Sequence, residues 1–192
     1  ENAWRTNTMG AENAAYIANS LGIPLLYIST AGIFDGRKQM FDDWDTPNPL
    51  SCYARSKYAG ELFVRENVRQ HLVCRGGWMM GGGPAKDKKF VQKIMSQLAG
   101  GATELRIVND KFGSPTYTCD FAQNVKVLLE TQYWGVYNLA CDGLTSRVEV
   151  AHAILEFRGL AGTVSITEVP SSHFSEEYFA ARPPSECLVN AK

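Results

Sequence analysis

An excess of charge of either sign is missing from this chain: 19 basic and 20 acidic residues among 192 leave a formal net charge of -1. Such a surface has no electrostatic footprint for a polyanion or an acidic membrane, so no nucleic-acid partner is expected. Organised cysteine is missing too. Cys52, Cys74, Cys119, Cys141 and Cys187 include no CxxC pair, which argues against a zinc site or a disulfide framework and suits a reducing, cytoplasmic setting. His71, His152 and His173 share no spacing and have no Cys partner, and the run Asp42, Asp43, Asp45 reads as a solvated loop, so no metal is expected. No apolar run approaches the roughly 20 residues of a membrane span, and the N-terminus lacks the basic-then-apolar order of a signal peptide. No membrane partner is expected. The absence of a Gly-x-Ser-x-Gly elbow counts against a serine hydrolase. There is no initiator Met, and the chain opens on Glu1-Asn2-Ala3-Trp4-Arg5, already helical in character, so it reads as a fragment.

What is present is a 45 % hydrophobic chain, long enough for a real core in one domain or a domain and a half. Small and apolar residues from Ala3 to Ser20 recur at helical spacing until Gly22-Ile23-Pro24 stops them. Leu25-Leu26-Tyr27-Ile28 follows as a nearly continuous apolar strand, the pattern of a parallel sheet covered on both faces. Residues 35 to 50 read as an irregular loop, Ser51 to about Arg69 as helix and His71 to Arg75 as strand. Gly76 to Pro84 reads as a glycine-rich loop, with Gly81-Gly82-Gly83-Pro84 a flexible turn. Helices are expected over about Lys89 to Leu98, Thr118 to Glu130 and Val148 to Phe157. Strands are expected at Leu105 to Val108, Val136 to Leu139 and Val164 to Val169, and the last twenty residues read as irregular. The alternation makes the chain α/β.

One constellation carries chemistry. Thr30 stands at the C-terminal end of the first strand, the edge where open α/β sheets bind ligands. Tyr53 and Lys57 are four apart and share a helix face. A free phenol titrates at about 10, and a nearby ammonium is expected to favour the phenolate and bring it toward neutrality. A hydroxyl beside that pair can hold a carbonyl oxygen within reach of the phenol. A Tyr and a Lys at this spacing are also common on helices that do no chemistry; it is the order of strand-end hydroxyl, Pro-containing loop and Tyr-x-x-x-Lys that points to an enzyme.

That order resembles the extended short-chain dehydrogenase/reductase superfamily, and within it the dTDP-4-dehydrorhamnose reductase-like family. The family's Ser-Thr-Asp-Tyr-Val-Phe-Asp-Gly is similar to Ser29-Thr30-Ala31-Gly32-Ile33-Phe34-Asp35-Gly36. Its Pro-x-x-x-Tyr-Gly-x-Ser-Lys-x-x-Gly-Glu is matched by Pro49, Tyr53, Ala54, Ser56, Lys57, Gly60 and Glu61. Arg75 with Trp78, Phe90-Val91, Asp110 with Gly113, Pro115 and Thr116, and Arg182-Pro183 with Ser185 and Leu188 match later family motifs.

The resemblance implies the C-terminal portion of a Rossmann-type doubly wound parallel sheet with a smaller α/β substrate-binding lobe. Residues 1–75 would be the half of the dinucleotide-binding domain that carries catalysis, and 76–192 mainly the lobe, with a segment near 134–140 returning to the main sheet. It implies NAD(P)H-dependent reduction of a 4-keto nucleotide sugar in nucleotide-sugar or rhamnose biosynthesis. Thr30, Tyr53, Lys57 and Asn7 would be catalytic, with Tyr53 as proton donor and Asn7 continuing a proton relay. Tyr53, Lys57 and Arg75 would touch the cofactor, NADP or NAD, and Trp78, Pro115 and Thr116 the substrate. A homodimer is a possible assembly. A sugar-nucleotide epimerase and a non-catalytic regulatory subunit of the methionine adenosyltransferase type are the alternatives. Two departures stand out: Ala31 and Gly32 replace the family's Asp-Tyr, removing a carboxylate and disfavouring a 4,6-dehydratase, and no Gly-x-x-Gly-x-x-Gly turn is present. Without that turn the NAD-or-NADP choice is not readable.

Overall fold

The computed structural model describes residues 1–174 and 182–192. The first helical run is α1 (Asn2–Trp4), a π turn (Arg5–Met9) and α2 (Gly10–Leu21), closed by Gly22 in the left-handed conformation at φ 64°. Strand β1 (Leu25–Thr30) ends in a 3₁₀ turn (Ala31–Ile33) whose N-cap is Thr30, its hydroxyl accepting from the Gly32 N–H at 3.2 Å. Ser51 caps α3 (Cys52–Asn67) by accepting from the Ala54 N–H at 3.0 Å. Then come β2 (His71–Gly76), β3 (Trp78–Met80), α4 (Gly83–Lys86), α5 (Phe90–Ala99), β4 (Glu104–Val108), β5 (Phe112–Gly113) and β6 (Pro115–Tyr117). They are followed by α6 (Thr118–Thr131), β7 (Gly135–Asn138), β8 (Thr145–Ser146), α7 (Arg147–Phe157), β9 (Ser165–Val169) and β10 (Ser185–Glu186).

The main sheet runs β1-β2-β7, parallel throughout, with Thr30 in register with Gly76 at its C-terminal edge. On one face Ala11 and Ala15 of α2 and Val64 of α3 pack with Tyr27 and Val73; on the other, Phe121 and Val125 of α6 pack on Leu72 and Cys74. This is a three-layer α/β arrangement. A second core forms where α5 and α7 cover the parallel pair β4-β9, through Ile94, Leu105, Ile107, Val148, Ala151 and Leu155. Phe34, stacked on Phe41 at 4.4 Å between centroids, packs with Ile33 and Leu188 and ties the C-terminal stretch to the end of β1.

The structure revises the glycine-rich run. Trp78–Met80 is a strand, paired in parallel with Pro115–Tyr117, and a short helix follows at Gly83–Lys86. Glycine is needed here for close approach: a Cβ on Gly77 would meet the Ser114 carbonyl oxygen at 2.2 Å. The C-terminal stretch, expected to be irregular, contains β10, which pairs in parallel with β5; residues 175–181 of that stretch lie outside the described residues. Among the described residues no helix is long and apolar enough to cross a membrane.

Inside the main layer lies a buried ion pair. Glu61 on α3 is fully buried; its carboxylate accepts from Arg75 Nη2 at 2.6 Å, from Arg75 Nε at 3.2 Å and from the Ser29 hydroxyl at 2.8 Å. Removing one partner of such a pair leaves the other charge buried and poorly compensated, since beside Glu61 there remains the part-exposed Arg65 guanidinium at 3.6 Å. Arg75→Met alone is therefore expected to lower unfolding free energy by about 3–5 kcal/mol in urea titration, with Glu61→Gln costing a similar amount. The double variant should recover much of the loss; additive losses would show that the two side chains act separately.

Candidate active site

The C-terminal edge of β1 gathers the residues singled out by sequence. Thr30 ends the strand, and Tyr53 and Lys57 occupy the first turns of α3, which crosses beside it. The Thr30 hydroxyl neighbours the Tyr53 phenol and favours its ionised form. Tyr53 is 53 % exposed as a whole residue, its hydroxyl end being the more buried part.

The electrostatics differ from the expectation drawn from spacing. Tyr53 is raised above the usual tyrosine value, first by burial of the hydroxyl end; Thr30 opposes this, Glu186 adds to it and Arg182 opposes it. Lys57 does not pull the phenol down in this geometry, because its ammonium is spent elsewhere. Its Nζ lies 4.1 Å from the centroid of the Tyr27 ring. Burial lowers Lys57 below the usual lysine value and the Glu61 carboxylate opposes that. The Tyr27 hydroxyl donates to the Lys57 carbonyl at 2.9 Å and to the Asn7 carbonyl at 3.4 Å, tying helix, strand and π turn together. Sequence reasoning missed Tyr27, whose place in an apolar strand gives no signal of its link to a residue 30 positions on.

Asn7 sits in the π turn, a helical irregularity often found at functional sites. Its amide donates to the Ser56 hydroxyl at 2.9 Å, and that hydroxyl donates to the Tyr53 carbonyl at 2.8 Å. Asn7 is thus joined to the backbone that carries Tyr53. Arg75 is not brought to the ligand-facing edge: only 2 % exposed, it spends its guanidinium on Glu61 and packs against the Phe34 ring.

Trp78, Pro115 and Thr116 meet in the β3-β6 pair. Trp78 lies against Gly113, where a Cβ would come within 2.2 Å of the indole, with the Arg147 guanidinium 3.7 Å from the indole ring. Its Nε1–H donates to Glu186 Oε2 at 2.9 Å. Burial lowers Arg147 to about 10, the Glu186 charge opposing and Arg182 adding. The Thr116 hydroxyl is buried, accepting from the Gly77 N–H at 3.2 Å, so it braces the strands and faces no ligand. Glu186 and Arg147 carry no sequence signal of their own, although the match at Arg182-Pro183, Ser185 and Leu188 marks the segment that carries Glu186. In the acidic loop, Asp43 is buried and accepts from the Asn138 and Ala191 N–H groups.

Chemically, the edge offers a donor pair, Thr30 and Tyr53, for a carbonyl oxygen; an ammonium beside it; and an indole platform with an acceptor across from it. The RmlD substrate binding domain family matches residues 1–192. The chain is 33 % identical over 178 residues to dTDP-4-dehydrorhamnose reductase of Mycobacterium tuberculosis, covering 90 % of this chain and 57 % of that protein. The crystal structure of dTDP-4-dehydrorhamnose reductase from Yersinia enterocolitica superposes with TM-score 0.86 at 36 % identity, over 96 % of this chain and 64 % of that one. The Bacillus anthracis reductase, solved in complex with NADP, gives TM-score 0.85 at 31 % identity, over 96 % and 63 %. The chain therefore spans less than two thirds of the length of these relatives.

The seat of Lys57 depends on Gly60, where a Cβ would meet the Asn7 carbonyl oxygen at 2.4 Å and the Tyr27 hydroxyl at 2.6 Å. Gly60→Ala is expected to push α3 off the π turn and cost about 1–3 kcal/mol of stability by thermal or urea unfolding. An unchanged melting temperature would show that the contact is slack.

Proposed function

The chain belongs to the RmlD substrate-binding domain family, and we propose that it carries the proton-delivering and substrate-holding part of a nicotinamide-dependent reductase of a 4-keto nucleotide sugar. The observation that carries the reading is the half-exposed Tyr53 side chain beside Thr30 at the C-terminal edge of a parallel sheet. The reductase identity of the relatives and the NADP bound by one of them support the reaction class.

The residues present fit a nicotinamide beside them. Tyr53 and Lys57 offer a phenol and an ammonium to a ribose, at an edge strand whose outer side pairs with no other strand among the described residues. The exposed apolar side chains of Tyr16, Ile17, Ile23 and Ile28 support a further sheet segment covering this side in the whole protein. When bound, the reduced nicotinamide supplies hydride to the carbonyl carbon. The chain's own part is the proton. Thr30 and Tyr53 orient the ketone oxygen, and Tyr53, neutral at pH 7 as an ordinary phenol is, gives up its phenolic proton as that oxygen gains charge. The resulting phenolate is stabilised by Thr30 and by the Arg182 charge, and solvent returns the proton through the exposed edge.

The assay follows NADPH or NADH oxidation with dTDP-4-dehydrorhamnose by the longest protein that contains this chain. Tyr53→Phe is expected to reduce turnover by roughly 10²–10⁴-fold with little change in the melting temperature. Undiminished turnover in that variant sinks the reading; tightly held NAD without net oxidation points to epimerisation instead. The 192-residue chain alone is expected to bind free dinucleotide poorly, and micromolar affinity by calorimetry would contradict the need for a further sheet segment.

A further inference from the structure

Glu186 is the residue of the site whose chemistry the reductase reading leaves unused. It reaches the catalytic edge from β10, near the far end of the chain, and one oxygen is already committed: Oε2 accepts from the Trp78 indole at 2.9 Å. The other, Oε1, lies 3.1 Å from the point a Cβ on Gly32 would occupy, and Thr30 Oγ1 lies 3.5 Å from the same point. The carboxylate and the Thr30 hydroxyl thus border one small space, which is open because residue 32 has no side chain. Among the described residues Oε1 takes no hydrogen bond.

Resting on the reductase reading, we propose that Glu186 accepts a hydrogen bond from the sugar hydroxyl next to the reacting carbonyl, and thereby selects substrates that carry it. The argument is one of complementary inventory. Thr30 and Tyr53 can donate to a ketone oxygen; an ionised carboxylate cannot, since it only accepts. It also repels a phosphate, so the part of a nucleotide sugar that fits beside it is a hydroxyl. Trp78 supports this placement. Its ring is wedged between the Gly113 backbone and the Arg147 guanidinium, and its N–H pins one carboxylate oxygen while the other stays available. Around Glu186 stand Trp78 of β3 and Gly32 after β1, and Arg147 of α7, Tyr53 of α3 and Cys187 feel its charge, while Arg182 acts on the same Arg147 and Tyr53. The Glu186 charge opposes loss of the Arg147 proton and keeps the proton on Tyr53.

The test compares kcat/KM for the 4-keto nucleotide sugar with that for its 3-deoxy analogue, using the whole protein and its Glu186→Gln and Glu186→Ala variants. Gln retains an acceptor for Trp78, so it separates the substrate contact from the structural one; the indole N–H resonance of Trp78 reports whether that tether survives. Gln is expected to lose roughly tenfold, and Ala up to about a hundredfold, on the hydroxylated substrate, with both close to wild type on the deoxy analogue. The basic limb of the pH profile should also move to lower pH in both variants, because the phenol loses the negative charge that holds its proton. Equal losses on both substrates, or no loss with Gln, overturn the inference while leaving the reductase reading standing. Absence of turnover by the wild-type protein overturns the reading and the inference with it.

Discussion

The Glu61–Arg75 pair is the constraint from which the geometry of the site follows. A carboxylate and a guanidinium, both removed from water, tolerate little displacement, because separation strands each charge in a medium that solvates it poorly. The pair fixes where α3 sits along β2, and the Ser29 hydroxyl, bonded to the same carboxylate, fixes the helix against β1. Tyr53, Lys57 and Glu61 recur every four residues and so share a face of α3. The buried end of that face sets the position of the exposed end. Arg75 Nη1 also reaches the Asp43 carbonyl, and Asp43 holds the Asn138 and Ala191 N–H groups, so the same charge lattice anchors the loop, β7 and the C-terminal stretch.

Glu61 has a second effect at the site. Its charge lies on the helix face that carries Lys57 and opposes the loss of the lysine's proton, while burial promotes that loss. The Tyr27 ring beneath the ammonium adds attraction without adding a proton acceptor, since burial and the Glu61 charge push the Tyr27 phenol up. The cation is therefore held in a dry seat by a π face on one side and a distant carboxylate along the helix. It is available to a ligand that brings hydroxyls of its own.

What could be read from sequence was whatever repeats locally. The apolar run Leu25 to Ile28 is a parallel strand, the helices fall within a few residues of their periodic signals, and Thr30 stands at a strand end and Tyr53 at a helix start as their local signals indicate. The misses have a common physical cause. Trp78–Met80 was hidden because glycines that make room for a neighbouring backbone look like glycines of a flexible loop. Arg75 and Thr116 matched motifs, yet the structure turns both inward, one to an ion pair and the other to a strand brace. Tyr27, Arg147 and Glu186 act through partners far away in sequence, and no periodicity records such a contact; Trp78 and Glu186 are separated by 108 positions. The expected effect of Lys57 on Tyr53 failed for a related reason, because spacing on a helix says which face is shared and not what else competes for the ammonium.

The balance around Tyr53 bears on the direction of the chemistry. Burial and the Glu186 carboxylate keep the proton on the phenol, while Thr30 and Arg182 favour its departure, and the outcome is a phenol raised above its ordinary value. At neutral pH an ordinary phenol already carries its proton, so the upward shift makes Tyr53 a weaker acid without changing how much of it is loaded. A proton acceptor would require the reverse, a positive charge near enough to outweigh burial, and the one nearby on the helix is seated over Tyr27. Donation nevertheless leaves a phenolate, which burial disfavours, so transfer becomes efficient only once the bound substrate and cofactor have rearranged the charges at this edge. On the proposed reading, Tyr53 gives up its proton less readily than an ordinary phenol until a carbonyl oxygen is in place to receive it.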